Sequence, residues 1–120
     1  MIAVIFELRP AEGREGRYLD LAAALRPELD RIDGFLSIER FRSLSDPDKL
    51  LSISFWRDEA AVAAWRNTGE HRAAQREGRH GVLAGYRLRV AHVLRDYGLE
   101  VRDGVPEDSR RLHDEADREG

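Results

Sequence analysis

The residues most able to do chemistry are few. The chain has four histidines, two tryptophans and no cysteine. A thiolate nucleophile, a disulfide and a cysteine metal site are therefore excluded. His71 follows the break Asn67-Thr68-Gly69 between two helical segments. A histidine titrates near neutrality, so His71 can remove a phenolic or enolic proton. The plainer role for the same residue is a surface or helix-capping histidine. Trp65, on the apolar side of the preceding helix, can stack on a planar substrate or simply fill the core. Arg40, Arg87 and Arg89 fall on strands, where one facing a cavity could hold an oxyanion; solvated faces or salt bridges are the commoner fates of such arginines. Ser52 and Ser54 can line the same space, but no base lies near them in sequence to make a nucleophile. His92 sits mid-strand with an apolar set and reads as a satisfied core group or a polar group of the cavity. His80 and His113 fall in a loop and in the tail and carry no assignment.

Other chemistries lack their motifs. The histidines show neither His-x-x-His nor His-Glu-x-x-His spacing, so metal binding is weakly supported and no metal site is expected. No Gly-x-Gly-x-x-Gly fingerprint or phosphate loop occurs. The net charge is -3 and no dense basic run appears, which argues against nucleic acid as a partner. No apolar run approaches the ~20 residues that span a bilayer. The start, Met1-Ile2-Ala3-Val4-Ile5-Phe6-Glu7, lacks the regions of a signal peptide. With the absence of cysteine, this gives a cytoplasmic expectation.

The elements that must position these residues follow from periodicity. The 120 residues fit one domain. Ile2 to Arg9 alternates as a strand that is apolar on both faces, as a central strand would be. From about Arg14 to Arg31, Tyr18, Leu21, Leu25, Leu29 and Ile32 form one helical stripe, with Pro27 inside it. Phe35 to Ser43 and Leu50 to Trp56 are strands joined by the turn-rich Leu44 to Lys49. In the first, Leu36, Ile38 and Arg40 are expected on one face. In the second, Leu51, Ile53 and Phe55 oppose Ser52, Ser54 and Trp56. Asp58 can cap a second helix carrying Ala61, Val62 and Trp65, and a further helix runs from about Glu70 to Glu77. Tyr86 to Asp96 is expected as the last strand. From Gly98 onward the composition turns polar, and Ser109 can cap a short terminal helix through Ala116. The division is thus 1–97 as a folded domain and 98–120 as a polar C-terminal tail.

The order β-α-β-β-α-β is the ferredoxin-like α+β arrangement. It places both helices on one face of an antiparallel sheet. The other face holds more apolar surface than a monomer can hide, so a homodimer that packs sheet against sheet is expected. The plain alternative is a monomer with a half-wet sheet.

The run Ser54-Phe55-Trp56-Arg57-Asp58-Glu59-Ala60-Ala61-Val62-Ala63-Ala64-Trp65-Arg66, with Glu70-His71-Arg72-Ala73-Ala74-Gln75, resembles the antibiotic biosynthesis monooxygenase family. Tyr86-Arg87-Leu88-Arg89-Val90 leading to Arg95-Asp96-Tyr97 is similar too, and the likeness covers about residues 1 to 97. The resemblance implies a dimeric α/β-barrel with a cavity between sheet and helices in each subunit. If that cavity is present, His71 is the candidate catalytic base, and Trp65, Arg40, Arg87, Ser52, Ser54 and His92 are the candidate substrate-binding residues. The activity implied is a monooxygenase that needs no cofactor and oxidises a small electron-rich aromatic, quinol-like or anthrone-like, with dioxygen. Haem-degrading relatives suggest haem as an alternative; they use a first-strand asparagine and a histidine ten residues after the helical tryptophan. Here the first strand has no asparagine and the ligand position is Gln75. A third reading is a non-catalytic dimeric module that binds a small apolar ligand.

Overall fold

The computed structural model describes residues 1–112, the side chain of Glu70 excepted. Four strands and three helices follow in the order β1 (Ile2–Pro10), α1 (Glu15–Asp30), β2 (Phe35–Arg42), β3 (Leu50–Trp56), α2 (Glu59–Arg66), α3 (Gly69–Glu77) and β4 (Leu83–His92). A kinked turn, Gly78–Val82, joins α3 to β4. The sheet order is β2-β3-β1-β4, antiparallel throughout. This is the ferredoxin-like α+β fold, with β1 central as its two apolar faces require.

Register fixes which residues share a face, because side chains alternate along a strand. Across the sheet, Val4 stands opposite Ser54 and Val90, and Phe6 opposite Ser52 and Leu88. Ile38 and Arg40 oppose Ser54 and Ser52. All of these share the face on which the helices pack, with Leu88 and Val90 of β4 about half exposed. The opposite face carries Ala3, Ile5 and Glu7 beside Phe55, Ile53 and Leu51, with Ala91, Arg89 and Arg87 on β4.

The core is two clusters. Ile2, Leu29, Trp56, Ala61 and Trp65 form one, and Leu8, Tyr18, Leu50 and Val82 the other. No residue of the uncovered face belongs to either. The stripe Tyr18, Leu21, Leu25 and Leu29 of α1, continued by Ile32 just past its end, packs down as its spacing requires. Pro27 is accommodated within α1.

Two expectations, the faces of β2 and the length of the last strand, need correcting. A register shift between Phe35 and Ser37 turns Phe35 toward the core, where it meets the edge of Trp56 at a centroid distance of 5.2 Å. Leu36 is consequently 52% exposed. A bulge adds one residue and so reverses the phase of the pattern before it. Trp56, on the more polar face of β3, is a core residue 2% exposed, because that face is the one the helices cover. The last strand ends at His92 rather than Asp96. Beyond it, only the Val93 N–H still bonds the carbonyl of Met1, at 3.0 Å.

Among the glycines that the backbone geometry requires, two bear on the site. Gly34 has φ +94°, and a Cβ there would lie 2.7 Å from the Cβ of Ala61. The entry to β2 therefore passes α2 at a distance only glycine allows. Gly81 has φ +113° and reverses the chain so that Val82 drops into the core. Residues 107–112 are helical after Pro106, so Ser109 lies within that helix and is not its cap. Ala116 and His113 are outside the described residues. The radius of gyration is 18.1 Å, against roughly 14 Å for a compact chain of this length. The excess reflects the segment past β4, where Leu94, Leu99 and Val101 are 84%, 89% and 70% exposed.

Candidate functional site

Between the two core clusters the helices stand off the sheet and leave a cavity of about 230 Å³. That is below the ~300 Å³ lower end of pockets for drug-sized ligands, so it suits a small molecule. The sheet supplies Val4, Phe6, Ile38, Arg40, Ser52 and Ser54 as floor. Helix α1 supplies Tyr18, Leu21, Ala22, Leu25 and Leu29 as one wall; Trp65, His71, Ala74 and Gln75 form another. Arg79, Val82 and Leu83 close one end, and Tyr86 and Leu88 of β4 stand half exposed at the rim.

His71 is held by the helix break that precedes it. The Thr68 hydroxyl donates to the Trp65 carbonyl at 2.9 Å and accepts from the backbone N–H of His71 at 3.2 Å. One side chain thus ends α2 and caps α3, the ordinary work of an N-cap threonine. The His71 ring lies against Trp65 at a centroid distance of 4.9 Å and an interplanar angle of 36°. Its Nδ1 donates to the Arg66 carbonyl at 3.4 Å, which leaves Nε2 as the acceptor. Burial pushes its pKa below the usual histidine value. The hydrogen bond to the Arg66 carbonyl acts the other way, and the Arg72 and Arg66 charges lower it further. At neutral pH the ring is uncharged and basic at Nε2.

The two serines differ. Ser54 is 5% exposed and its Oγ accepts from Trp56 Nε1 at 2.9 Å. Ser52 is 6% exposed, and its hydroxyl has no side-chain partner among the described residues. Arg40, directly across the strands from Ser52, donates from Nε to the Tyr18 hydroxyl at 3.4 Å.

Trp65, Arg40, Ser52, Ser54 and His71 are thus brought together. Two other expected cavity residues stand elsewhere. Arg87 is on the opposite face of the sheet, across from Glu7, because Tyr86 and Leu88 take the cavity side. Arg89 shares that face and pairs with Glu7 at 3.3 Å. His92 is exposed at the end of β4 beside Met1 and Ile2, in a shallow depression away from the cavity. The helices do not reach that far along the strand. Gln75, at the position where haem-degrading relatives carry a histidine, lines the cavity. The first strand contributes only Val4 and Phe6.

Sequence reasoning passed over Tyr18, Gln75 and Arg79 as lining residues. Tyr18 was legible as the one polar-tipped member of an apolar stripe. Nothing in local pattern marks Arg79, which reaches the site only through the Gly78–Val82 turn. Among the described residues, no three His, Asp or Glu side chains gather as a metal-binding group, and no helix is long and apolar enough to cross a membrane.

Comparison with known proteins agrees with this architecture. A family model described as antibiotic biosynthesis monooxygenase matches residues 1–77. A jasmonate monooxygenase of Pyricularia oryzae is 53% identical over 93 residues, 78% of this chain and 43% of the relative. The chain therefore spans less than half of that fungal protein. The Bacillus subtilis protein YqjZ is 32% identical over 93 residues, 78% of this chain and 79% of the relative. A Deinococcus radiodurans structure bearing the same family name superposes with a TM-score of 0.73 at 14% identity, covering 82% of this chain and 98% of the other; that likeness speaks to the fold. The chain belongs to the antibiotic biosynthesis monooxygenase family.

Proposed function

We propose that the chain is a monooxygenase that oxidises a small electron-rich aromatic, quinol-like or anthrone-like, with dioxygen and without a cofactor. The observation that carries this reading is His71, uncharged, with Nδ1 committed to the Arg66 carbonyl and the ring set against Trp65 in the cavity wall. Nε2 takes the phenolic or enolic proton. The resulting anion is electron-rich enough to pass an electron to dioxygen. Four electrons leave the substrate in all: one oxygen atom enters the product as a carbonyl or hydroxyl, and the other departs as water. No outside reductant is consumed. The apolar walls keep water from the anion, and the ring of Trp65 offers a stacking surface.

The fungal relative's name places a monooxygenase on jasmonate; for this chain it supports oxidation of a small organic molecule. We further propose that two copies pair through the uncovered face, where Ala3, Ile5, Leu51, Ile53 and Phe55 form an apolar patch. Residues 1–97 would be the domain carrying the site and 98–120 an appended tail. The lack of cysteine suits the cytoplasm.

The test is oxygen uptake against a panel of hydroquinones and anthrones. Uptake above buffer with the native chain, lost in His71→Ala with the fold intact, is expected. No turnover anywhere in the panel would refute the reaction, and full activity in His71→Ala would refute the base.

A further inference from the structure

The charges lining the cavity are all of one sign. The chain carries 23 aspartates and glutamates, yet among the described residues none lines the cavity, whereas Arg40 and Arg79 both do. The contrast is sharpest within β2. Arg42 pairs with Glu15 at 2.9 Å. Arg40, two residues earlier and on the same face, meets no carboxylate among the described residues, only the Tyr18 hydroxyl at 3.4 Å. Its cross-strand neighbour is Ser52, whose hydroxyl is likewise unengaged. One end of an otherwise apolar cavity therefore presents a guanidinium and two hydroxyls with no anion to receive them.

We propose that this cavity takes small organic acids, and that Arg40 anchors the substrate's permanent carboxylate. A planar guanidinium donates two parallel hydrogen bonds to a carboxylate, a geometry an ammonium lacks. The Tyr18 contact at Nε orients the fork and leaves its other nitrogens for the ligand. Ser52 adds a donor from the adjoining strand. Val4, Phe6, Leu21, Leu25 and Ile38 receive the apolar body, and its length runs toward Trp65 and His71. Arg79, at the end closed by Val82 and Leu83, adds to the positive field without holding the anion. Arg40 lies on an edge strand and is open to solvent, so the acid can reach it. The proposal rests on the cavity being the substrate site but not on the oxidation itself.

Binding of 1-naphthoate and of its neutral isostere 1-naphthamide separates the two questions. Both are followed through quenching of the two tryptophans, with no turnover required. The native chain should bind the acid on the order of 10-fold more tightly than the amide, as expected of a charge-assisted pair. Arg40→Gln should remove that preference and leave amide affinity unchanged, Arg40→Lys should keep part of it, and Arg79→Gln most of it. Equal affinity of acid and amide in the native chain would overturn the proposal, as would an Arg40→Gln variant that loses both ligands alike. Failure of either ligand to bind the folded chain would also count against it. If the acid is preferred through Arg40 but no acid of the class consumes oxygen, the binding assignment stands and the monooxygenase reading fails.

Discussion

Along β3 the helix-covered face carries Ser52 and Ser54, with Arg40 beside them on β2, whereas the uncovered face carries Leu51, Ile53 and Phe55, next to Ala3, Ile5 and Glu7 of β1. The usual rule would put the greasier side of such a strand inside. Here the inner face holds a chamber, and a chamber needs polar groups to orient what it binds. Its serines are 5% and 6% exposed; Ser54 accepts from Trp56 Nε1, and Ser52 is the one whose hydroxyl the proposed substrate would meet. The outer face has no such task. Its apolar residues suit contact with a flat, similar surface, which a second copy would supply under the proposed pairing. Polarity along β3 therefore reports the use of each face and not its depth.

A charge on the outer face should have the largest effect. Under the proposed pairing, Ile53→Asp buries an unpaired carboxylate twice per dimer, at a cost of several kcal/mol (roughly 3–5). Sedimentation should then give a particle of 13.7 kDa where the native chain gives twice that mass. If the face is open to water in solution, the same change moves stability by only about 0.5 kcal/mol and leaves the mass as it was.

On the inner face, Trp65→Ala removes a side chain 8% exposed from the first core cluster and should cost ~3–5 kcal/mol in denaturant unfolding. Ser54→Val leaves the buried Trp56 Nε1 without its acceptor and should cost about 1–3 kcal/mol. Ser52→Ala is the control. It breaks no side-chain hydrogen bond among the described residues, so its stability should change by less than ~0.5 kcal/mol while ligand affinity falls. Equal losses in the two serine variants would erase the distinction drawn between them.

The smallest effect is on the acid limb of stability. The folded pKa of His71 lies below its unfolded value, so the unfolded chain binds its proton first as pH falls. The native state should lose stability below about pH 6.5, with the loss ending at the folded pKa. His71→Gln should flatten that limb. Stability that instead rises on acidification through this window, by way of His71, would contradict the assigned direction.

Much of the fold was legible in the chain. The stripe of Tyr18, Leu21, Leu25 and Leu29 and the alternation of β1 and β3 give the elements directly, since helix and strand periods are local. Thr68, between two apolar runs, marks the break that positions His71. What local pattern does not reveal is which face of a strand the helices cover. Trp56 shares a face with two serines, and its place in the core follows from the helices covering that face. Phe35 needed the bulge, a pairing irregularity involving residues on two strands. Arg87 and His92 failed for different reasons. The first lies out of phase with Tyr86 and Leu88, and the second lies in phase but past the end of the helical cover. Arg40 was legible as a strand arginine, but its lack of a carboxylate partner depends on where Glu15 falls in three dimensions.

The reading of the inner face depends above all on the state of one imidazole. Nitrogen-15 NMR of His71, titrated in the full chain, observes that ring without any substrate. A pKa below about 6.5, with the proton on Nδ1 and Nε2 perturbed when an aromatic ligand is added, is the expected result. A ring that titrates at or above that value, carries its proton on Nε2, or ignores the ligand would contradict the assignment of His71 as the base.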